Sequence, residues 1–213
     1  MIQRRHVLLL AALWPLFWGA SVGASADDAT ALVKRTAERM LTTLEARRAE
    51  VNRNPSLIFG MIDDILAPHF DFEKITQGAL GAHWREATPA QQKALTNGFK
   101  QVLVRTYARS LLNYSGQEVR YLPAKPGSRN NTVTVSTEVR APGASPIPID
   151  YRMYDNGSGW KVYDVIVNNA SLVSNYRSSF STEIQQRGID GLIAKLGEMN
   201  RKGNDSTSGK GQG

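Results

Sequence analysis

The chain has 213 residues, no cysteine, 41% apolar residues and a formal net charge of +7. The length suits one domain with a sizeable core rather than two, and the missing cysteine excludes a disulfide scaffold and thiol chemistry. A moderate basic excess suits acidic partners such as anionic lipid head groups and equally suits a merely soluble surface.

The first element is an export signal. Met1-Ile2-Gln3-Arg4-Arg5 is a basic start, and Val7 to Trp18 is apolar and uncharged. At roughly a dozen residues that stretch falls short of the ~20 that a membrane-spanning helix needs. Ala24-Ser25-Ala26 is a small-x-small cleavage site, so residues 1–26 are expected to be removed and the mature chain to begin at Asp27. Arg4-Arg5 also fits the twin-arginine route, which the missing Ser or Thr before the pair and the long apolar core disfavour. The mature chain keeps 24 basic and 19 acidic residues, +5, with no cysteine for a lipid anchor.

Leu32, Val33, Thr36, Met40, Leu41 and Leu44 recur at three- and four-residue steps, which predicts an amphipathic helix from Ala29 to about Val51. Asn54-Pro55 opens a second helix with Leu57, Ile58, Met61, Ile62, Ile65 and Leu66 on its face, ending before Pro68. Asp71 caps a short third one, with Phe72, Ile75 and Leu80, that stops near Gly81. Thr88-Pro89-Ala90-Gln91 is a capping box with proline in the first turn, and it opens the longest helix, whose stripe runs Leu95, Phe99, Val102, Leu103, Thr106, Ser110, Tyr114.

After Ser115-Gly116 the apolar period changes to two. Strands are predicted over 117–122, 132–140, 147–154 and 160–168, joined as antiparallel hairpins through Pro142-Gly143 and Asp155-Asn156-Gly157. On the third, Ile147, Ile149, Tyr151 and Met153 share a face. The fourth reads apolar on both faces, Trp160, Val162 and Ile166 against Tyr163, Val165 and Val167, so both require cover. Ser171 caps a further helix ending at Gly188, and a short one follows Asp190. From Lys202 the chain is Gly, Ser, Asn and Lys, expected to be disordered. Residues 27–201 are therefore expected to form one domain.

Two stretches carry a resemblance. One is Phe70-Asp71-Phe72, Leu80-Gly81-x-x-Trp84-Arg85-x-Ala87-Thr88-Pro89-x-Gln91, Phe99, Leu103-Val104-x-Thr106-Tyr107-Ala108, Leu112 and Tyr114. The other is Gly159-Trp160-Lys161-Val162-Tyr163-Asp164-Val165, Ser171-Leu172-Val173-x-Asn175-Tyr176-Arg177-x-x-Phe180, Gly188 and Gly191-Leu192-Ile193. Over nearly the whole mature chain these resemble the MlaC family, also called toluene-tolerance auxiliary proteins. The resemblance implies an α+β fold: a curved antiparallel sheet of about four strands, of the nuclear-transport-factor/cystatin type, packed by N- and C-terminal helices around an apolar cavity. It further implies a soluble, monomeric periplasmic carrier that shuttles phospholipid between an outer-membrane lipoprotein complex and an inner-membrane ABC transporter bearing an MCE-domain ring, maintaining outer-membrane lipid asymmetry, with no cofactor, metal or nucleic-acid partner. Asn168-Asn169-Ala170 departs from the family pattern, where an acidic residue and a glycine precede the serine.

Withdrawing two acyl chains of roughly thirty methylenes from water is worth about 25 kcal/mol at ~0.8 kcal/mol each, so a carrier needs a deep slot rather than a patch. The candidate wall comprises Val133, Val135, Ile149, Tyr151, Met153, Val165 and Val167 on the sheet with Tyr107, Leu111, Tyr176 and Phe180 on the helices. Each of these also reads as ordinary core. Arg105, Arg109, Arg152 and Arg177 are candidate head-group contacts at the mouth, or else solvated surface charges. A catalytic reading finds little: His69-x-Asp71 is a weak metal pair better explained by a helix boundary, and Gly157-Ser158-Gly159 lies in a hairpin turn rather than a nucleophile elbow. A periplasmic small-molecule-binding enzyme, for which Asp164 is the polar candidate, and a structural adaptor remain the alternatives.

Overall fold

A computed structural model describes residues 25–129 and 131–208. The expected signal segment lies outside these apart from Ser25 and Ala26. Helix α1 (Ala26–Ala46) opens on a capping box in which Ser25 Oγ accepts from Asp28 N–H and the Asp28 carboxylate accepts from Ser25 N–H. The cleavage expected after Ala26 thus falls one residue inside this helix. The single helix expected to reach Val51 breaks at Arg47 (φ −107°, ψ 16°), whose guanidinium binds Glu50, and resumes as α2 (Arg48–Arg53). Arg48 then reaches the carbonyls of Leu112 and Tyr114, tying α2 to the end of the long helix.

Asn54 does not cap a helix at once. Its side chain folds onto Ser56, and α3 starts later (Leu57–Met61), passing into a π turn (Ile62–Leu66) and a 3-10 turn (Ala67–His69). The wider turn keeps Ile62 and Ile65 buried while the chain approaches Pro68, which has no N–H to continue an α ladder. Asp71 caps α4 (Phe72–Leu80) by accepting from Lys74 N–H, and Thr88 with Gln91 forms the expected box at the start of α5 (Pro89–Leu112).

Among the described residues the four expected strands follow with two further ones of two residues each: β1 (Glu118–Tyr121), β2 (Lys125–Pro126), β3 (Thr132–Arg140), β4 (Ile147–Asp155), β5 (Trp160–Val167) and β6 (Ala170–Ser171). They form one antiparallel sheet in the order β1-β3-β4-β5-β6, with the short β2 also on β3. β5 and β6 join through Asn168 and Asn169 alone, both at positive φ (49° and 64°), the two-residue loop that asparagine tolerates well.

Helix α6 (Leu172–Ser208) is interrupted at Gly188, whose φ 71°, ψ −178° is open to glycine alone. Gly188 is thus the expected stop, and the helix restarts immediately. Its backbone stays helical through Ser208, into the stretch expected to be disordered from Lys202, because adding a residue to an existing turn is far easier than starting one. Three apolar clusters result among the described residues. Leu95, Phe99, Phe180, Leu192 and Leu196 centre the layer of α4, α5 and α6. Met40, Leu44, Val51, Ile58 and Ala108 join α1, α2, α3 and α5. Ala29, Val33, Val133, Val135, Met153 and Trp160 hold the start of α1 on the sheet.

Candidate functional site

Between α1, the end of α5 and one face of the sheet lies a cavity of about 590 Å³, within the ~300–1,000 Å³ typical of small-molecule sites. α1 contributes Leu32, Val33, Thr36, Ala37, Met40 and Leu41, and α5 with the residues after it contributes Tyr107, Ser110, Leu111, Asn113 and Tyr114. The sheet supplies Val119, Thr137, Val139, Ile147, Ile149, Tyr151, Met153, Val162 and Val167. Leu66, His69 and Phe70 line one end. On β4 alone the wall runs from Ile147 to Met153, about 20 Å at ~3.3 Å per residue.

The sheet's register explains why this wall is so uniformly apolar. Ile149 pairs with Val167 and Tyr151 with Val165, but Met153 pairs with Val162, so β5 carries one extra residue near Tyr163. This bulge reverses the alternation along β5. Trp160, Val162, Val165 and Val167 all lie on the cavity face, so the expected division of the strand is corrected: Val165 and Val167 join Trp160 and Val162, and Ile166 leaves them, while both faces remain covered. Asp164 and Ile166 go to the other face. There Asp164, 3% exposed, accepts from Ser171 Oγ at 2.7 Å, from Val173 N–H at 3.2 Å and from Arg152 Nη1 at 3.3 Å. All three partners are structural, and they fasten the start of α6 to the sheet.

Of the expected wall residues, Tyr107, Leu111, Ile149, Tyr151, Met153 and Val167 line the cavity. Val133, Val135 and Val165 are on the same sheet face but pack beneath α1 with Trp160. Tyr176 and Phe180 are elsewhere: they meet Phe99 with ring centroids 4.7 and 4.9 Å away, in the helical core. The four expected head-group arginines are not on the wall either. Arg152 faces Asp164 on the opposite side of the sheet, and Arg177 binds the Gly78 carbonyl at 3.0 and 2.7 Å. Arg105 stands over the Phe59 ring, and Arg109 is exposed.

Sequence reasoning missed the whole α1 wall, although its stripe of Leu32, Val33, Thr36, Met40 and Leu41 was plainly visible; nothing in the stripe says whether it meets core or an open space. It also missed the charge distribution at the two ends of the cavity. At one end Tyr107 and Ile147, 37% and 43% exposed, are the large apolar side chains most open to water among the described residues, and their neighbours on the wall are the uncharged Ser110, Asn113, Gln117 and Ser145. At the other, burial and the nearby charges of Lys161, Arg35 and Arg39 hold the His69 imidazole below its ordinary pKa. The Tyr151 phenol, enclosed in the wall, is pushed up by burial against a smaller opposing effect of Thr137. Both side chains are therefore neutral at pH 7, which suits an apolar occupant.

The fold is shared with known proteins. A family model described as MlaC protein matches residues 34–198. The chain belongs to the MlaC family. The toluene tolerance protein ttg2D of Pseudomonas putida is 29% identical over 190 residues, which covers 89% of this chain and 86% of that one. The intermembrane phospholipid transport system binding protein MlaC of Haemophilus influenzae is 24% identical over 168 residues, 78% of each chain. Among solved structures, a phospholipid-binding protein of Ralstonia solanacearum in complex with a phospholipid superposes with a TM-score of 0.77 at 34% identity, covering 83% of this chain and 98% of its own. The mixed fold of helices and an open antiparallel sheet in this MlaC-family chain is shared with that structure. Among the described residues, no group of three or more acidic or histidine side chains is placed to hold a metal ion, and no helix is long and apolar enough to cross a membrane.

Proposed function

We propose that this chain is a soluble periplasmic phospholipid carrier that takes lipid between an outer-membrane lipoprotein complex and an inner-membrane ABC transporter with an MCE-domain ring, serving outer-membrane lipid asymmetry. The observation that carries the reading is the apolar cavity of about 590 Å³ in a chain whose 34%-identical solved relative is described with a phospholipid bound. The names of the Haemophilus and Pseudomonas relatives support it. Residues 1–26 act as the signal that exports it, and the mature chain moves free of either membrane.

The physical logic is that of a slot with few fixed anchors. Acyl chains leaving a bilayer need nearly equivalent apolar cover, which α1 and the sheet face supply together. Release requires that the polar contribution stay small, and the wall's polar members are mostly uncharged hydroxyls and amides. Direction then follows from the relative affinities of the two partner complexes rather than from the carrier. Native mass spectrometry of the mature protein, purified under mild conditions, is expected to show a mass increment of phospholipid, and labelled lipid is expected to pass from vesicles to the protein. A lipid-free protein that takes up nothing from vesicles would sink the reading.

A further inference from the structure

At the Leu66–Phe70 end of the cavity, the His69 imidazole and three cations come together. His69 lies in the wall itself, on the 3-10 turn that follows the π turn. Lys161 is pinned to that turn, its Nζ donating to the Pro68 carbonyl at 2.6 Å. Arg35 and Arg39 are exposed and one helical turn apart on α1, along the edge of the stripe whose Leu32 and Thr36 face the cavity. Their charges and that of Lys161 are the ones His69 feels. Like charges at i and i+4 weaken a helix, and no ion pair among the described residues neutralises Arg35, Arg39 or Lys161. The neighbouring Lys34, by contrast, has Glu38, and Arg47 has Glu50. Uncompensated cations around one end of a cavity are what a phosphate anion satisfies, through charge-assisted hydrogen bonds from guanidinium and ammonium groups.

We propose that this end of the cavity binds a phosphate anion among His69, Arg35, Arg39 and Lys161, supplied by a lipid head group or free in solution. With a lipid present, its phosphate sits there and its acyl chains run along β4 toward Tyr107 and Ile147. The polarity of the bound lipid is thereby set, with the apolar lip of Tyr107 and Ile147 at the tail end. The lipid part of this inference rests on the carrier reading above; the anion site does not.

The test compares two lipids with the same acyl chains, phosphatidylglycerol and diacylglycerol, offered in vesicles to delipidated mature protein and quantified by native mass spectrometry. Wild type is expected to load phosphatidylglycerol in preference by about tenfold or more. The double variant Arg35→Glu, Arg39→Glu is expected to bring that ratio near one while still loading diacylglycerol, and the control Arg85→Glu, Lys93→Glu to keep it. Circular dichroism checks the fold, and Arg35→Gln, Arg39→Gln replaces the charge reversal if that variant unfolds. A second arm follows the phosphorus resonance of inorganic phosphate with the delipidated protein. Broadening by wild type and not by the variant, without lipid preference, assigns the site to free phosphate. No preference and no broadening overturns the proposal, as does a variant that retains both. If neither lipid enters the wild type, the carrier reading fails and the phosphate arm alone decides the site.

Discussion

Asp164 shows how much one side chain organises. It is buried on the face of β5 away from the cavity, and its carboxylate receives Ser171 Oγ, Val173 N–H and Arg152. Ser171 in turn accepts from Ser174 N–H, so the start of α6 is capped by a residue that the sheet itself holds. Asp164→Asn keeps the shape but removes the charge and one strong acceptor, for an expected loss of about 2 kcal/mol. In a domain of this size that lowers Tm by roughly 4–8 °C, readable by thermal melts followed by circular dichroism. Lipid loading should be unaffected, because Asp164 does not face the cavity; an enzyme using Asp164 would instead lose turnover.

His69 makes a second prediction at the same scale. Its pKa is lowered first by burial and then by Lys161, Arg35 and Arg39. The unfolded chain therefore takes up the proton before the folded one does. The stabilising difference is complete above the unfolded value of about 6.5 and is lost as pH falls from there through the lower folded value. Tm measured from about pH 5 to 7.5 should fall on the acid side in wild type, and His69→Gln should flatten that part of the profile. An unchanged slope would show that His69 is not protected from protonation in the folded state.

At the scale of elements, α6 is two helices bent about one glycine. Gly188 sits at φ 71°, ψ −178°, and Glu183 in the first half binds both Arg187 and Lys195, the latter in the second half. The bend places Leu192 and Leu196 in the core beside Leu95 and Phe99. Gly188→Ala is expected to cost about 1–3 kcal/mol through backbone strain alone, since a Cβ there meets no neighbouring atom. Urea unfolding should show a lower midpoint with an unchanged slope. The helix starts at Asp71 and Thr88 and the break at Gly188 were legible because capping side chains and glycine act within three or four residues. The break at Arg47, the π turn and the β5 bulge were not. None has a local signature; each arises where packing on a distant element makes a small backbone departure preferable.

Across the whole molecule, the cavity exists because α1 is held against the sheet at one end by Ala29, Val33 and Trp160 and against α3 and α5 at the other by Met40 and Leu44. Between those two clusters its apolar stripe spans open space. Filling that space should remove loading without unfolding the protein. Ile149→Trp is expected to lower bound phospholipid by about tenfold while shifting Tm by only a few degrees, since the added volume enters an existing void rather than a packed core. Val135 is unsuited to that purpose, being fully buried under α1, where a tryptophan would disrupt the core. A tryptophan at 149 that leaves loading unchanged would place the lipid elsewhere.

What the sequence alone determined was local and periodic. The strands β3, β4 and β5, the caps at Asp71, Thr88 and Ser171, and the apolar face of Ile147, Ile149, Tyr151 and Met153 followed from spacing within short windows, and the family from the resemblance of motifs along most of the chain. Which apolar residues enclose a cavity and which merely fill the core was decided by tertiary structure. Leu32 and Met40 look the same in sequence as Leu95 and Leu192, and Tyr107 the same as Tyr176. Burial against atoms and burial against a ligand place the same demand on a side chain. Only the relative placement of α1, α5 and the bulged sheet leaves one set facing a void and packs the other.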